Sequence, residues 1–307
     1  MSISVTQLIK DQQLEDLNPE IPSESFITTS ELVRPGIQLA GYFDYFAYER
    51  MLILGKVEHY YLQTLPEDLR NSRFDKIMSY PIPCMLVSRN LGLPVELLKI
   101  ASDHGRKILG SNLNTTKLIS RLMNYLEFHL AETTQIHGVL MDVYGVGVAI
   151  TGKSGIGKSE TAIELIKKGH LLVADDTIEV KRIGHDYIVG SAPDLTKNMI
   201  EVRGIGILDV KSLYGVGAIK NRTGIDIVVH LEEWDQQKSY DRLGLDESYR
   251  KILDVAVEEV VIPVKPARNI SLMVEVAARN HRQKMMGYHA AQAFSDRLTE
   301  FMKRESS

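Results

Sequence analysis

One cysteine and one tryptophan stand among 307 residues. A lone Cys84 can form neither an internal disulfide nor a cysteine-built zinc centre, so a disulfide framework is excluded. It lies in the apolar run "PCMLVS" (residues 83–88), where a small core residue is expected. Charge of one sign is also scarce: 36 basic against 40 acidic residues leave a net charge of −4. Without a broad basic excess, no nucleic-acid partner is expected. No apolar run approaches the roughly 20 residues of a membrane span, and no signal-peptide pattern opens the chain. A cytoplasmic protein with no membrane partner is the expectation. Internal repeats and low-complexity tracts are missing as well. What is present, 44% hydrophobic and 25% charged residues, is the composition of a globular protein long enough for two domains.

In the first part, "MLILG" (51–55) and "CMLVS" (84–88) are short, apolar and bounded by breakers, and so read as buried strands. "PVELLKIASDHG" has Pro94 near a helix start and Gly105 at its end. Residues 114–132 carry apolar side chains at 118, 119, 122, 126 and 130, the spacing of an amphipathic helix. This βαβ rhythm predicts a small N-terminal α/β domain over 1–131, of unknown role, and a second domain over 132–307. In the second part, "HGVLMDVYGVGVAITG" reads as two strands joined by a turn near Tyr144 and Gly145. Residues 159–170 read as a helix ending at Gly169, "LLVADD" (171–176) and "DIVVHLE" (226–232) as strands, and 270–286 and 289–304 as helices.

The strongest chemical signal is "GKSGIGKS", Gly152, Lys153, Ser154, Gly155, Ile156, Gly157, Lys158 and Ser159, which fits G-x-x-x-x-G-K-[ST]. Glycines there allow a tight turn whose N–H groups converge on phosphate oxygens, and the following helix adds its dipole. Lys158 is placed to reach the β- and γ-phosphates and the Ser159 hydroxyl to ligate Mg²⁺. Asp175 and Asp176 end the next strand, where a metal-directed carboxylate belongs; in an extended strand they face opposite ways, one toward metal and one toward an acceptor hydroxyl. The plain alternative is that the pair caps a turn. The chain has neither the N-K-x-D of guanine recognition nor the L-S-G-G-Q of transport ATPases. A small-molecule kinase, a carboxykinase-like enzyme, an unusual protein kinase and a nucleotide-gated module without catalysis remain open.

Residues 137–176, "MIEVRGIGILDV" (199–210), "YDRLGLD" (240–246), "IPVKPARN" (262–269) and "RPGIQLAGYFDYFA" (34–47) together resemble the HPr kinase/phosphorylase family, nearly from end to end. The resemblance implies a carboxykinase-type nucleotide-binding fold and an enzyme that phosphorylates a serine of the phosphocarrier HPr with ATP or pyrophosphate. It implies the reversal by inorganic phosphate too, and a role in carbon catabolite repression. It implies that Ser159 with Glu201 holds Mg²⁺, that Asp176 is base and acid in the two directions with Asp175 on the metal side (a swap being open), and that His137, Lys158 and Arg242 are catalytic. The stretch from Glu201 to Asp209 would serve both directions; Pro263, Val264, Lys265, Pro266, Ala267 and Arg268 would serve dephosphorylation. Ala267 stands where the family has glycine, which bears on the strength of that reverse activity. A homohexamer, and control by inorganic phosphate and a sugar bisphosphate, are implied likewise. Without the resemblance, His137 is a turn histidine, Glu201 an outward strand residue, Trp234 a packing residue, and "EEWDQQKSYDRLGLDESYRK" (232–251) a solvated charged loop.

Overall fold

The computed structural model describes residues 2–238, 247–265 and 268–305. Two compact units divide the chain, Met1–Ala131 and Glu132–Ser307. The first is a five-stranded sheet in the order Glu15–Asp16, Ile108–Gly110, Met85–Val87, Met51–Leu54, Leu32–Val33, parallel except for the first pair. Its central strands are apolar throughout because both faces are covered. Leu52, Leu54, Met85 and Val87 pack against helices Lys56–Thr64, Glu67–Met78 and Val95–Asp103. Met51, Ile53, Leu86 and Leu109 pack against helices Val5–Gln12 and Thr115–Leu130. Asn114 starts the latter helix by accepting from Lys117 N, so the amphipathic pattern begins at a capped end.

The second unit has three layers. A six-stranded mixed sheet runs Leu171–Ala174, Val139–Val143, Val146–Gly152, Ile227–Glu233, Val255–Val264, Ser248–Ile252. Helices Lys158–Lys167 and Ile270–Met285 cover one face through Leu165, Ile166, Val274 and Ala278. A four-stranded antiparallel sheet (Arg222–Gly224, Tyr187–Ser191, Thr177–Ile183, Thr133–His137) covers the other through Ile178, Val180 and Ile188. Val139, Met141 and Val143 thus face the helices while Leu140 faces the second sheet. The turn between Val139–Val143 and Val146–Gly152 has positive φ at both Tyr144 (56°) and Gly145 (82°), which a two-residue hairpin of matching twist requires.

Part of the stretch read as a solvated loop is ordered differently: Ser248–Ile252 pairs antiparallel with Val255–Val264 as an edge strand. Charged residues on an edge strand keep it from pairing with other chains, so its composition mimics a loop. Among the described residues no helix is long and apolar enough to cross a membrane.

Candidate functional site

The register of the central sheet sets Gly152 beside Leu231 and Leu231 beside Ile262, with all three strands parallel. Their carboxyl ends therefore share one edge, the place where open α/β sheets hold ligands. Gly152 leaves that edge with φ 144°, and a Cβ on it would lie 2.5 Å from the Leu231 carbonyl oxygen. Only glycine fits there, on conformation and on space. Gly155 (φ 84°) and Gly157 (φ 103°) complete the turn into helix Lys158–Lys167. Gly157 is the N-cap and offers no side-chain acceptor to the first-turn N–H groups, which face the loop. Lys158 is buried and folded back, its Nζ donating to the carbonyls of Gly152 (3.0 Å) and Lys153 (3.2 Å).

Two pairs of strands cross from one sheet to the other at this edge. Thr133–His137 turns into Val139–Val143 at Gly138, and Leu171–Ala174 turns into Thr177–Ile183 at Asp175 and Asp176. Gly138 N donates to Asp176 O at 3.0 Å, and a Cβ on Gly138 would lie 2.6 Å from Ile150 O, so the crossing is tight. Asp176 adopts φ 65°, a left-handed conformation that non-glycine residues hold at a cost of order 1 kcal/mol or more and that clusters at functional sites. The bend separates the two aspartates. Asp175 turns inward, only 4% exposed, accepting the Ser159 hydroxyl at 3.0 Å and the Glu201 N–H at 2.8 Å. Asp176 turns outward and pairs with His137, Nδ1 to Oδ1 3.3 Å. Burial pushes the Asp175 carboxyl above its ordinary range, against the pull of the Glu201 and Ser159 hydrogen bonds. Among the described residues no cationic side chain pairs with it.

The hairpin Met199–Val202 with Gly206–Asp209 closes one side. Ile200 and Val202 are buried, which sends Glu201 and Arg203 outward to the cleft. His137, Lys158, Ser159, Asp175, Asp176 and Glu201 therefore line one cleft with Ser154, Gly155 and Gly157. Arg203 lines it too, its Nη2 donating to Ser154 Oγ at 2.8 Å and its Nη1 lying where a Gly155 Cβ would come within 2.6 Å. In the sequence Arg203 stands out only as part of the stretch from Glu201 to Asp209, and Glu160, also in the lining, only as part of the helix over 159–170; neither has a spacing that marks it. Pro263, Val264, Lys265 and Arg268 begin at the same edge but two strands over, roughly 10 Å away at ordinary strand spacing, and do not line the cleft. Arg268 donates to Pro263 O (3.1 Å), and Lys265 Nζ sits 3.2 Å from the centre of the Trp234 ring. Arg242, Pro266 and Ala267 lie outside the described residues.

A strand, a glycine turn and a helix stand beside two adjacent carboxylates, and comparison with known proteins gives the class of protein that carries them. The family description "HPr Serine kinase C-terminal domain" matches residues 128–298, and "HPr Serine kinase N terminus" matches residues 3–126. The HPr kinase/phosphorylase of Alkaliphilus metalliredigens is 63% identical over 305 residues, 99% of either chain. That of Caldanaerobacter subterraneus is 52% identical over 296 residues, covering 96% of this chain and 97% of its own. A solved structure, the Hpr(Ser) kinase/phosphatase from Coxiella burnetii, aligns at a TM-score of 0.48 and 34% identity over 52% of this chain and 98% of its own. The chain belongs to the HPr serine kinase family.

Proposed function

We propose that this chain is a kinase and phosphorylase that transfers a phosphoryl group from ATP, or pyrophosphate, to a serine of HPr and removes it again to inorganic phosphate, in control of carbon catabolite repression. The observation that carries this reading is the division of labour at the sheet crossing: one aspartate buried against Ser159, its neighbour presented to the cleft beside His137. Phosphoryl transfer asks for positioning and charge more than for covalent chemistry. The glycine turn, whose helix start has no side-chain cap, supplies N–H donors to phosphate oxygens. Lys158 exchanges its two carbonyl partners for phosphate, and Arg203 adds a second positive group over the turn. Arg242 belongs to the same proposal as a further charge.

Mg²⁺ fits the donor set. The Ser159 hydroxyl and the Asp175 and Glu201 carboxylates are oxygen ligands, and a buried carboxylate with no cationic partner among the described residues suits a cation. Among those residues no cluster of three or more His, Cys, Asp or Glu could hold a metal ion; Mg²⁺ in such sites takes one or two carboxylates and completes its shell with phosphate and water. When bound it would neutralise charge on the phosphates.

In the forward direction Asp176 takes the proton of the serine hydroxyl. The serine oxygen bonds to the γ-phosphorus as that phosphorus parts from the β,γ-bridging oxygen, and ADP leaves. In reverse an oxygen of inorganic phosphate bonds to the phosphorus of phosphoserine, the bond to the serine oxygen breaks, and protonated Asp176 returns the proton to it; pyrophosphate forms. His137 holds the carboxylate outward for both steps. The stretch 263–268 is assigned to the reverse reaction. A homohexamer, and control by inorganic phosphate and a sugar bisphosphate, rest on family membership.

Labelling HPr with γ-labelled ATP and chasing with inorganic phosphate tests the reading. Label should appear on an HPr serine and leave as pyrophosphate; HPr that never takes label under any nucleotide condition would refute it.

A further inference from the structure

The first unit has a carboxyl edge of its own. Strands Met85–Val87 and Ile108–Gly110 are parallel neighbours. The chain leaving the former enters helix Val95–Asp103, which packs on one face through Leu97 and Ala101. The chain leaving the latter enters helix Thr115–Leu130, which packs on the opposite face through Leu118 and Leu122. Connections that part to opposite faces from adjacent strands create a topological switch point, where open α/β sheets form ligand crevices. A cavity of about 340 Å³ lies there.

Asn90, Ser111 and Asn112 reach it from the two diverging loops, Gln13 and Glu15 from the chain entering the edge strand, and Arg121 from the helix. Its floor is tied by Arg89 N to Leu113 O and Asn90 N to Ser111 O, both 2.9 Å. A Cβ on Gly110 would lie 3.2 Å from Glu15 Oε2, so the glycine leaves room for the carboxylate to lie across the strand end. Ser111, 9% exposed, accepts from Leu113 N at 3.3 Å and keeps its proton to donate. Arg121 is oriented by Gln12, Nε to Oε1 2.7 Å, with further N–H groups to offer. Among the described residues the side chains of Gln13, Glu15, Asn90 and Asn112 have no hydrogen-bond partner.

We propose that this cavity binds a small uncharged polyhydroxylated molecule of the monosaccharide class. Ligand pockets for drug-like molecules are mostly apolar; this one sets four amides, a hydroxyl, one carboxylate and one guanidinium beside four leucines. The two charges balance, so neither an anion nor a cation is favoured. A phosphate carries net negative charge on oxygens that chiefly accept, and would meet Glu15 as a repulsive neighbour. A vicinal diol presents a donor and an acceptor side by side, which an amide or a carboxylate beside an amide matches in pairs.

The test uses the full chain and saturation-transfer NMR with glucose, galactose, mannose, ribose and myo-inositol, with inorganic phosphate as the anionic comparison. At least one of the five binds, and Glu15→Ala and Asn112→Ala each weaken it roughly tenfold. Asn90 has φ 50°, a conformation asparagine tolerates for backbone reasons alone, so Asn90→Gly removes the amide and keeps the turn; it too weakens binding. Thermal unfolding of each variant is compared with the parent. Should any variant unfold, amide shifts in the parent chain decide, with perturbation at residues 88–90 and 110–113 expected. The proposal falls if none of the five binds, if binding survives all three substitutions, if the shifts lie elsewhere, or if phosphate binds this edge in preference to every sugar.

Discussion

In each unit the parallel strands end on one edge of that unit's own sheet, and the two edges are built by different means. At the edge of the second unit the backbone sets the geometry: Gly152 cannot bear a Cβ, Gly138 is pressed against Ile150 O, and Asp176 is held at positive φ. At the edge of the first unit Gln13 (φ 53°), Arg89 (φ 64°) and Asn90 (φ 50°) also hold positive φ, but the polar character comes from the side chains of Gln13, Glu15, Asn90 and Asn112, which no close backbone contact dictates. A site made from backbone constraint dictates residue types and leaves a motif. A site made from loop side chains leaves none.

The contrast can be broken first at Lys158. Lys158→Ala removes the buried amine that spans the loop carbonyls, and phosphoryl transfer should fall by about a thousandfold or more, read as initial rate of HPr labelling. The next largest effect concerns stability. Burial by itself would raise the Glu275 carboxyl, but hydrogen bonds from Lys168 (2.5 Å), His170 (3.1 Å) and Tyr144 (2.8 Å) outweigh it and hold it down at about 2, against 4.5 for a free group. The charged form is the one the fold favours, so its stabilisation, about 3 kcal/mol, is complete above pH 4.5 and is lost as pH falls toward 2. Denaturant midpoints for the parent and Glu275→Gln should differ at pH 7 and converge near pH 2. Arg203→Ala, which frees an exposed loop hydroxyl, should weaken nucleotide affinity only severalfold in a binding titration. The smallest effect is expected in the first unit: burial pushes the Cys84 thiol up to about 12, so a thiol reagent should leave the native chain unlabelled and react only on unfolding.

Much of the fold was legible because it obeys short-range rules. The doubly buried run Val139–Val143, the Tyr144–Gly145 turn and the capped helix from Asn114 all follow from local chemistry. Leu32–Val33 and Glu15–Asp16 are two-residue edge strands with no period to detect, and Ser248–Ile252 carries the charge of a loop. At the cleft, the glycine turn and the adjacent aspartates could be located, but the opposite directions of Asp175 and Asp176 come from the crossing between sheets rather than from an extended strand. A crossing is a long-range event: Gly138 meets Asp176 and Ile150 only in three dimensions. Arg203 and Glu160 could not be singled out within their stretches for the same reason, since their place in the cleft depends on a hairpin and a helix start brought together by packing.

The central claim is that one outward carboxylate serves both directions of transfer. The measurement that bears on it most directly is the forward and reverse rate of Asp176→Asn against the parent chain, with nucleotide binding recorded on the same preparation. Both rates should fall together, by about a thousandfold, while nucleotide affinity stays within a few-fold. A variant that retains either direction near the parent rate would contradict the claim and move the proton transfer to another group.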